Sequence, residues 1–156
     1  TIDGITGATR SYPSAGGIYP LEIYLVSGNV KNLPAGIYRY NWKQHSLSLI
    51  KSGDVRNQLL LAAYGQQMVS QAPVSLVFTA IYERTTRHYG ERGRIRYLPM
   101  DLGHAGQNVH LQAEALGLGT VVIGAFHDDA VKEVLGIESK KPTEEPLYIM
   151  PVGKPR

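Results

Sequence analysis

The chain has 156 residues, 43% of them hydrophobic and 19% charged, with a net charge of +3 and no cysteine. That balance fits a single globular domain with a sizeable core, and the missing thiols exclude a disulfide scaffold, thiolate metal sites and a cysteine nucleophile. No apolar run approaches the ~20 residues that span a bilayer, and the start lacks the basic and apolar regions of a signal peptide, so a cytoplasmic protein without membrane contact is expected.

Taken in chain order, Glu22–Ser27 reads as a strand after Tyr19-Pro20. Residues 36–42 (GIYRYNW) and 47–51 (LSLIK) alternate at period two across Lys43-Gln44-His45-Ser46 and read as a hairpin. Asp54 is placed to cap a helix reaching about Gln71, with Leu60, Ala63, Tyr64 and Met68 near helical spacing. Pro73 opens a buried strand at 74–80 (VSLVFTA). The polar, basic stretch Tyr82–Tyr97 holds two glycines and reads as a long loop. Asp101 is placed to cap a second helix, Leu102–Leu116, with an apolar stripe of Leu102, Ala105, Val109, Ala113 and Leu116 and Gly117 at the position after its end. A third buried strand is expected at 120–125 (TVVIGA), a short helix from Asp128 to Gly136, and a last strand at 146–153 (PLYIMPVG). The fold class is therefore α+β: a mixed or antiparallel sheet flanked by helices.

Several chemistries are missing. There is no phosphate-binding G-x-x-x-x-G-K-[ST] loop and no H-E-x-x-H zinc motif. Gly117, Gly119 and Gly124 have the wrong spacing, and the wrong element order, for a dinucleotide fingerprint. His104 and His110 are six apart on a predicted helix and do not share a face, so no metal site is expected. Ser14 lies in P-S-A-G-G and not in a G-x-S-x-G elbow, which argues against a serine hydrolase.

Four segments remain. In Arg10–Glu22 (RSYPSAGGIYPLE), Gly16-Gly17 permits close backbone approach and Ser14 offers a hydroxyl; a plain turn before a strand is the alternative. The helix from Asp101 carries Gly103 and Gly106, each costing about 1 kcal/mol relative to alanine, which points to close helix contact across a dimer or to simple tolerance. The strand ending in Gly124-Ala125 presents backbone N–H groups, or is an ordinary core strand. Lys154 and Arg156 follow an apolar strand and suit a phosphate, or form a solvated tail.

In this order the segments RSYPSAGGIYPLE, GIYRY, APV, YGERG, DLGHAGQNVHLQAEALGLGT, GAF and EEPLYIMPVGKP resemble the nitroreductase superfamily. More closely, they are similar to the SagB-type dehydrogenases, the branch containing the thiazole/oxazole-forming peptide oxidases. The resemblance implies one α+β domain over residues 1–156 that works as a homodimer, with FMN in each of two sites at the subunit interface. Carried over residue by residue, it places Ser14, Ala15 and Gly16 beside the flavin ring and ribityl chain, and Gly124 and Ala125 at the ring's N5 edge. Lys154 and Arg156 are implied at the phosphate, with Arg10 a further phosphate candidate on charge and placement.

Two departures stand out. The family's N-terminal helical segment with its Arg-Arg-Ser-like phosphate motif has no counterpart before Arg10. The peptide-oxidising branch has W-K-Y-G-x-R where this chain reads Arg87-His88-Tyr89-Gly90-Glu91-Arg92, so His88 stands at the lysine position. His88 and Tyr89 are the catalytic candidates, because histidine abstracts protons near neutral pH. The implied activity is hydride transfer between flavin and a small organic or peptide-azoline substrate, with NAD(P)H as a candidate electron donor. Two alternatives are a non-catalytic dimer of the same fold and nucleic-acid binding through the interleaved Tyr82, Arg84, Arg87, Tyr89, Arg92, Arg94, Arg96 and Tyr97. Glu83 and Glu91 dilute that pattern, and no nucleic-acid partner is expected.

Overall fold

The computed structural model describes residues 10–138 and 142–155. Its strands are β1 (Leu21–Ser27), β2 (Gly36–Asn41), β3 (Ser46–Ser52), β4 (Val74–Ile81), β5 (Gly119–Thr120) and β6 (Glu144–Gly153). They form a six-stranded sheet in the order β3-β2-β1-β4-β6-β5. Every neighbouring pair is antiparallel. The helices are α1 (Arg56–Ala62), α2 (Met68–Gln71), α3 (Tyr82–Arg92), α4 (Leu98–Ala115) and α5 (Asp128–Leu135). Of these helices none is long and apolar enough to cross a membrane.

Side-chain alternation puts apolar residues on both faces of the central strands, so the sheet needs cover on both sides. On one face Tyr24, Val26, Ile37, Val77 and Ile149 pack with Leu59 and Ala62 of α1, Val69 of α2, and Val131, Val134 and Leu135 of α5. On the other, Leu21, Phe78, Ala80 and Met150 pack with Leu98, Leu102 and Ala105 of α4. Gly106 lets α4 lie close to the sheet: a Cβ there would sit 3.3 Å from the Tyr148 ring. That glycine is therefore explained by packing within the chain, whereas a Cβ at Gly103 would meet open space.

The strands from 21 to 81 and the last strand lie where the pattern placed them. Three expectations are corrected. The helix expected to run from Asp54 to Gln71 is broken into α1 and α2, because Tyr64 and Gly65 adopt φ of 53° and 74°, which a right-handed helix excludes. The expected loop at 82–97 is α3 followed by a π-helical turn at Gly93–Tyr97. The strand expected at 120–125 is a two-residue β5 plus an isolated bridge from Ile123 to Ile149.

The caps also differ. Val55 holds the N-cap of α1, with Asp54 accepting from the Arg56 N–H at 3.1 Å. His127 caps α5 through Nδ1, which accepts from the Ala130 N–H at 3.4 Å. Asp101 lies inside α4, which begins earlier, at Leu98. Gly117 has φ of +64°, as expected of the residue that ends α4.

Candidate functional site

The segment between Arg10 and Pro20 forms a strap along α4. Ser14 is extended, at φ −132° and ψ 140°, and leads into a 3-10 turn over Ala15–Gly17. The turn needs glycine: Gly16 and Gly17 have φ of 61° and 66°, a region that residues with a Cβ rarely adopt. One side of α4 holds the strap through residues three, four and seven apart, the spacing that repeats on a helix face. Asp101 accepts the Ser14 hydroxyl hydrogen and, at 3.3 Å, the Ala15 N–H. A ring nitrogen of His104 pairs with the Pro13 carbonyl at 3.3 Å, and Asn108 donates to the Ser11 hydroxyl at 3.2 Å. Asp101 is only 3% exposed, and its burial raises its pKa above the ordinary carboxylate value, against the lowering effect of the Ser14 and Ala15 donors.

Tyr89 meets this strap from α3. A Cβ on Gly16 would lie 2.6 Å from the Tyr89 hydroxyl, so that hydroxyl occupies the space a side chain would need. Gly90, directly after it, has φ 56° and ψ −143° and breaks the helix. The Tyr89 ring packs edge-on against Tyr97 of the π turn at 4.8 Å, and Arg92 Nε donates to the Tyr97 hydroxyl at 2.9 Å. π-helical turns of this kind recur at functional sites. The start of α3 is tied to the sheet, since Arg84 pairs with Glu22 of β1 at 2.6 Å and the Thr143 N–H donates to Glu83 at 2.9 Å. His88 is exposed, its ring 6.4 Å from that of Tyr89.

The other predicted residues lie apart. The Arg10 guanidinium is held 4.4 Å from the ring centres of both Tyr19 and Trp42. Gly124 and Ala125 are exposed beyond the Ile123 bridge; a Cβ at Gly124 would meet no atom within 4 Å, and the Ala125 carbonyl accepts from Gln66 at 2.9 Å. Lys154 is exposed just past β6, roughly 17 Å along the strand from the residue that bridges to Ile123. Arg156 lies outside the described residues. Among the described residues, no hydrogen bond or ring contact joins the strap to Gly124, Ala125 or Lys154. The chain thus brings Ser14, Ala15, Gly16 and Tyr89 together and leaves the strand end and the basic terminus elsewhere.

An open groove of about 740 Å³ runs beside the start of the strap, lined by Arg10, Ser11 and Tyr12, and is walled by Ile23, Leu76 and Phe78 of the sheet and by Val109, Gln112 and Leu116 of the α4 side. Its walls are largely apolar. Outside the groove, Gly17 and Gly124 carry open space beside their backbone, which permits the close approach a flat ring needs, so these glycines fit a flavin. Asp101 and His104 were missed as site residues. Their signal in the sequence was a buried-face aspartate and an exposed histidine one turn apart, readable only once the strap is known to lie against them.

Comparison with known proteins bears on the family and the fold. The nitroreductase family model matches residues 1–154. A nitroreductase-like protein of Methanocaldococcus jannaschii is 46% identical over 145 residues, which cover 93% of this chain and 70% of that protein. The structure of a nitroreductase-like protein from Anabaena variabilis superposes with a TM-score of 0.85 at 31% identity, covering 92% of this chain and 29% of the other. The Escherichia coli microcin B17-processing protein McbC is 29% identical over 149 residues, 92% of this chain and 54% of McbC. A chain of the E. coli McbBCD microcin synthetase, solved with truncated pro-microcin bound, gives a TM-score of 0.82 at 27% identity, covering 96% of this chain and 57% of that chain. This chain therefore spans only part of the length of these relatives.

Proposed function

The chain belongs to the nitroreductase family, and on that premise we propose that it is an FMN-dependent oxidoreductase domain acting as a homodimer. The observation that carries the reading is the clamped strap, which sets the backbone of Gly16 beside the Tyr89 hydroxyl and places Ser11 and Tyr12 on the wall of an apolar groove. FMN would supply the ring that gives or accepts a hydride. The chain's own residues bind and orient. Gly16, Gly124 and Ala125 offer backbone against which a flat ring can rest, and Lys154 with Arg156 offers positive charge suited to a phosphate. Arg10 is held against the rings of Tyr19 and Trp42, which compete with an anion for its guanidinium. Because the strap and the strand end stand apart within one chain, a second copy is proposed to complete each site, with Tyr89 and the strap from one protomer facing Gly124 and Ala125 of the other.

The substrate proposed is a small organic molecule or a peptide azoline stacked on the open face of the ring. Similarity to McbC supports the peptide reading. Tyr89, whose hydroxyl lies beside Gly16, is then the group to hold or move a substrate proton, and His88 lies beside it on α3. The test is a visible absorption spectrum of the purified chain titrated with FMN, followed by anaerobic NADPH or NADH. Flavin bands perturbed by binding and bleached by a nicotinamide are expected for the reductase direction. Bound flavin that nicotinamides leave oxidised would favour peptide oxidation. A folded dimer that takes up no flavin would overturn the proposal in favour of a non-catalytic use of the fold.

A further inference from the structure

A serine hydroxyl has one hydrogen to give, and its oxygen can accept. In the strap the Ser14 hydrogen goes to Asp101, and the Ser14 oxygen accepts the Tyr19 N–H at 3.0 Å. The Ala15 N–H goes to the second oxygen of Asp101. Farther along the turn, the Gly17 and Ile18 N–H groups are used by the carbonyls of Ser14 and Ala15, at 3.0 and 3.3 Å. Among the described residues the Gly16 N–H alone in this turn has no protein acceptor, and it belongs to the residue that faces the Tyr89 hydroxyl. Asp101 is buried, and a buried carboxylate is costly unless hydrogen-bonded. Strap and carboxylate therefore hold each other in one arrangement.

We infer that Asp101 is a positioning residue: by consuming the Ser14 hydrogen and the Ala15 N–H it leaves the Gly16 N–H, beside the Tyr89 hydroxyl, as the donor that meets the cofactor. This rests on the flavin reading above and refines it, since Ser14 then serves the site through Asp101 and not through its own hydroxyl. An oxygen or nitrogen acceptor on the ring is the chemical partner such a pair of donors fits.

The test compares Ser14→Ala, Asp101→Asn, the double variant and Ser14→Thr with the parent chain. Threonine keeps the hydroxyl and tolerates the extended backbone at position 14. Asparagine presents an amide N–H₂ where the carboxylate took the serine hydrogen. In the ligand-free protein, the Gly16 amide resonance in a ¹H–¹⁵N spectrum is expected to move in Ser14→Ala and Asp101→Asn and to stay in Ser14→Thr. In FMN titrations, Kd is expected to rise about tenfold or more in each disrupting single variant and no further in the double, the signature of residues acting as a unit. Ser14→Thr is expected to stay within about twofold of the parent. An Asp101→Asn variant that binds FMN normally while Ser14→Ala does not would overturn the inference and make Ser14 a direct contact. If Asp101→Asn does not fold, Ser14→Ala and Ser14→Thr carry the test: a Gly16 amide unmoved in the first overturns the inference. A parent chain that takes up no FMN overturns the flavin reading instead, and the amide shifts then decide the Asp101 clamp by themselves.

Discussion

At the scale of the residue, Asp101 shows how burial and hydrogen bonding divide the work in one side chain. Burial raises its pKa above the ordinary value of 3.8, while the Ser14 hydroxyl, the Ala15 N–H and His104 one turn along α4 pull it down. Tyr12 of the strap also feels the Asp101 charge, which, after burial, contributes to raising the phenol's own pKa, with Arg10 opposing. A carboxyl whose pKa is raised by folding binds its proton more tightly in the folded state. Its contribution to stability is thus fully present below the unfolded value near 3.8 and is lost as pH rises through the higher folded value. Asp101→Asn removes that contribution and leaves the rest of the acid titration in place. The parent's stability advantage over Asp101→Asn is therefore expected to grow between pH 7 and pH 3.5, read as the difference between their unfolding midpoints. A difference that stays flat over that range would show that burial does not govern this carboxyl. None of this was legible in the sequence, where Asp101 stood at the edge of an apolar stripe and read as a helix cap. The strap's own residues were legible because Pro13, Ser14 and the glycine pair allow few backbone conformations, whatever they lie against.

At the scale of the element, β1 to β4 and β6 were readable from period-two alternation or buried apolar runs, and α4 from its apolar stripe, whereas the apolar run at 120–125 formed only β5 and a bridge. α3 was not. Its sequence, YERTTRHYGER, is polar throughout and contains a glycine, so nothing in it announces a helix. What holds it is tertiary: the Arg84–Glu22 ion pair, the Glu83 contact with Thr143, and the close seating of Gly93 against Thr85, where a Cβ would come within 3.0 Å of the Thr85 side chain. α3 is kinked at Gly90, which takes φ 56° and ψ −143°, a conformation that is essentially glycine-only. Gly90→Ala is expected to lower stability by about 1–3 kcal/mol, because the backbone must strain or move. A thermal melt would show this as a drop of roughly 2–10 °C for a chain of this size. The same variant is expected to weaken FMN binding, since the break at Gly90 sets where Tyr89 points. Gly103→Ala is the control: its Cβ would enter open space in a helix interior, so it is expected to hold or raise the melting temperature. Equal losses in the two variants would mean that glycine at 90 is tolerated and not required.

At the scale of the whole molecule, the described residues cover the α4 face of the sheet only in part. The groove along it is bounded by Leu111 and Leu116 of the α4 side, which are 60% and 62% exposed, and by Trp42 at 48%. Apolar surface of this extent beside a cofactor-sized groove is unusual on a protein that stays alone in water. With strap and strand end out of contact within one chain, the proposed twofold partner, laid along α4, would account for both observations. In such a dimer every interface position occurs twice, so each substitution is felt twice. Removing a buried leucine contact and placing a carboxylate there forfeits about 1.5–3 kcal/mol on each side. Leu116→Glu is therefore expected to weaken dimerisation by roughly 10²- to 10⁴-fold, at 1.4 kcal/mol per factor of ten. Sedimentation velocity over a concentration series reads this directly. The control is Leu61→Glu on α1, 76% exposed on the opposite side of the sheet, where the same change of chemistry should leave the association untouched. If sites are completed between protomers, FMN uptake by Leu116→Glu must fall in step with the loss of dimer and return as protein concentration rises. A monomer that binds FMN with undiminished affinity would place the whole site in one chain and remove the reason for the second copy.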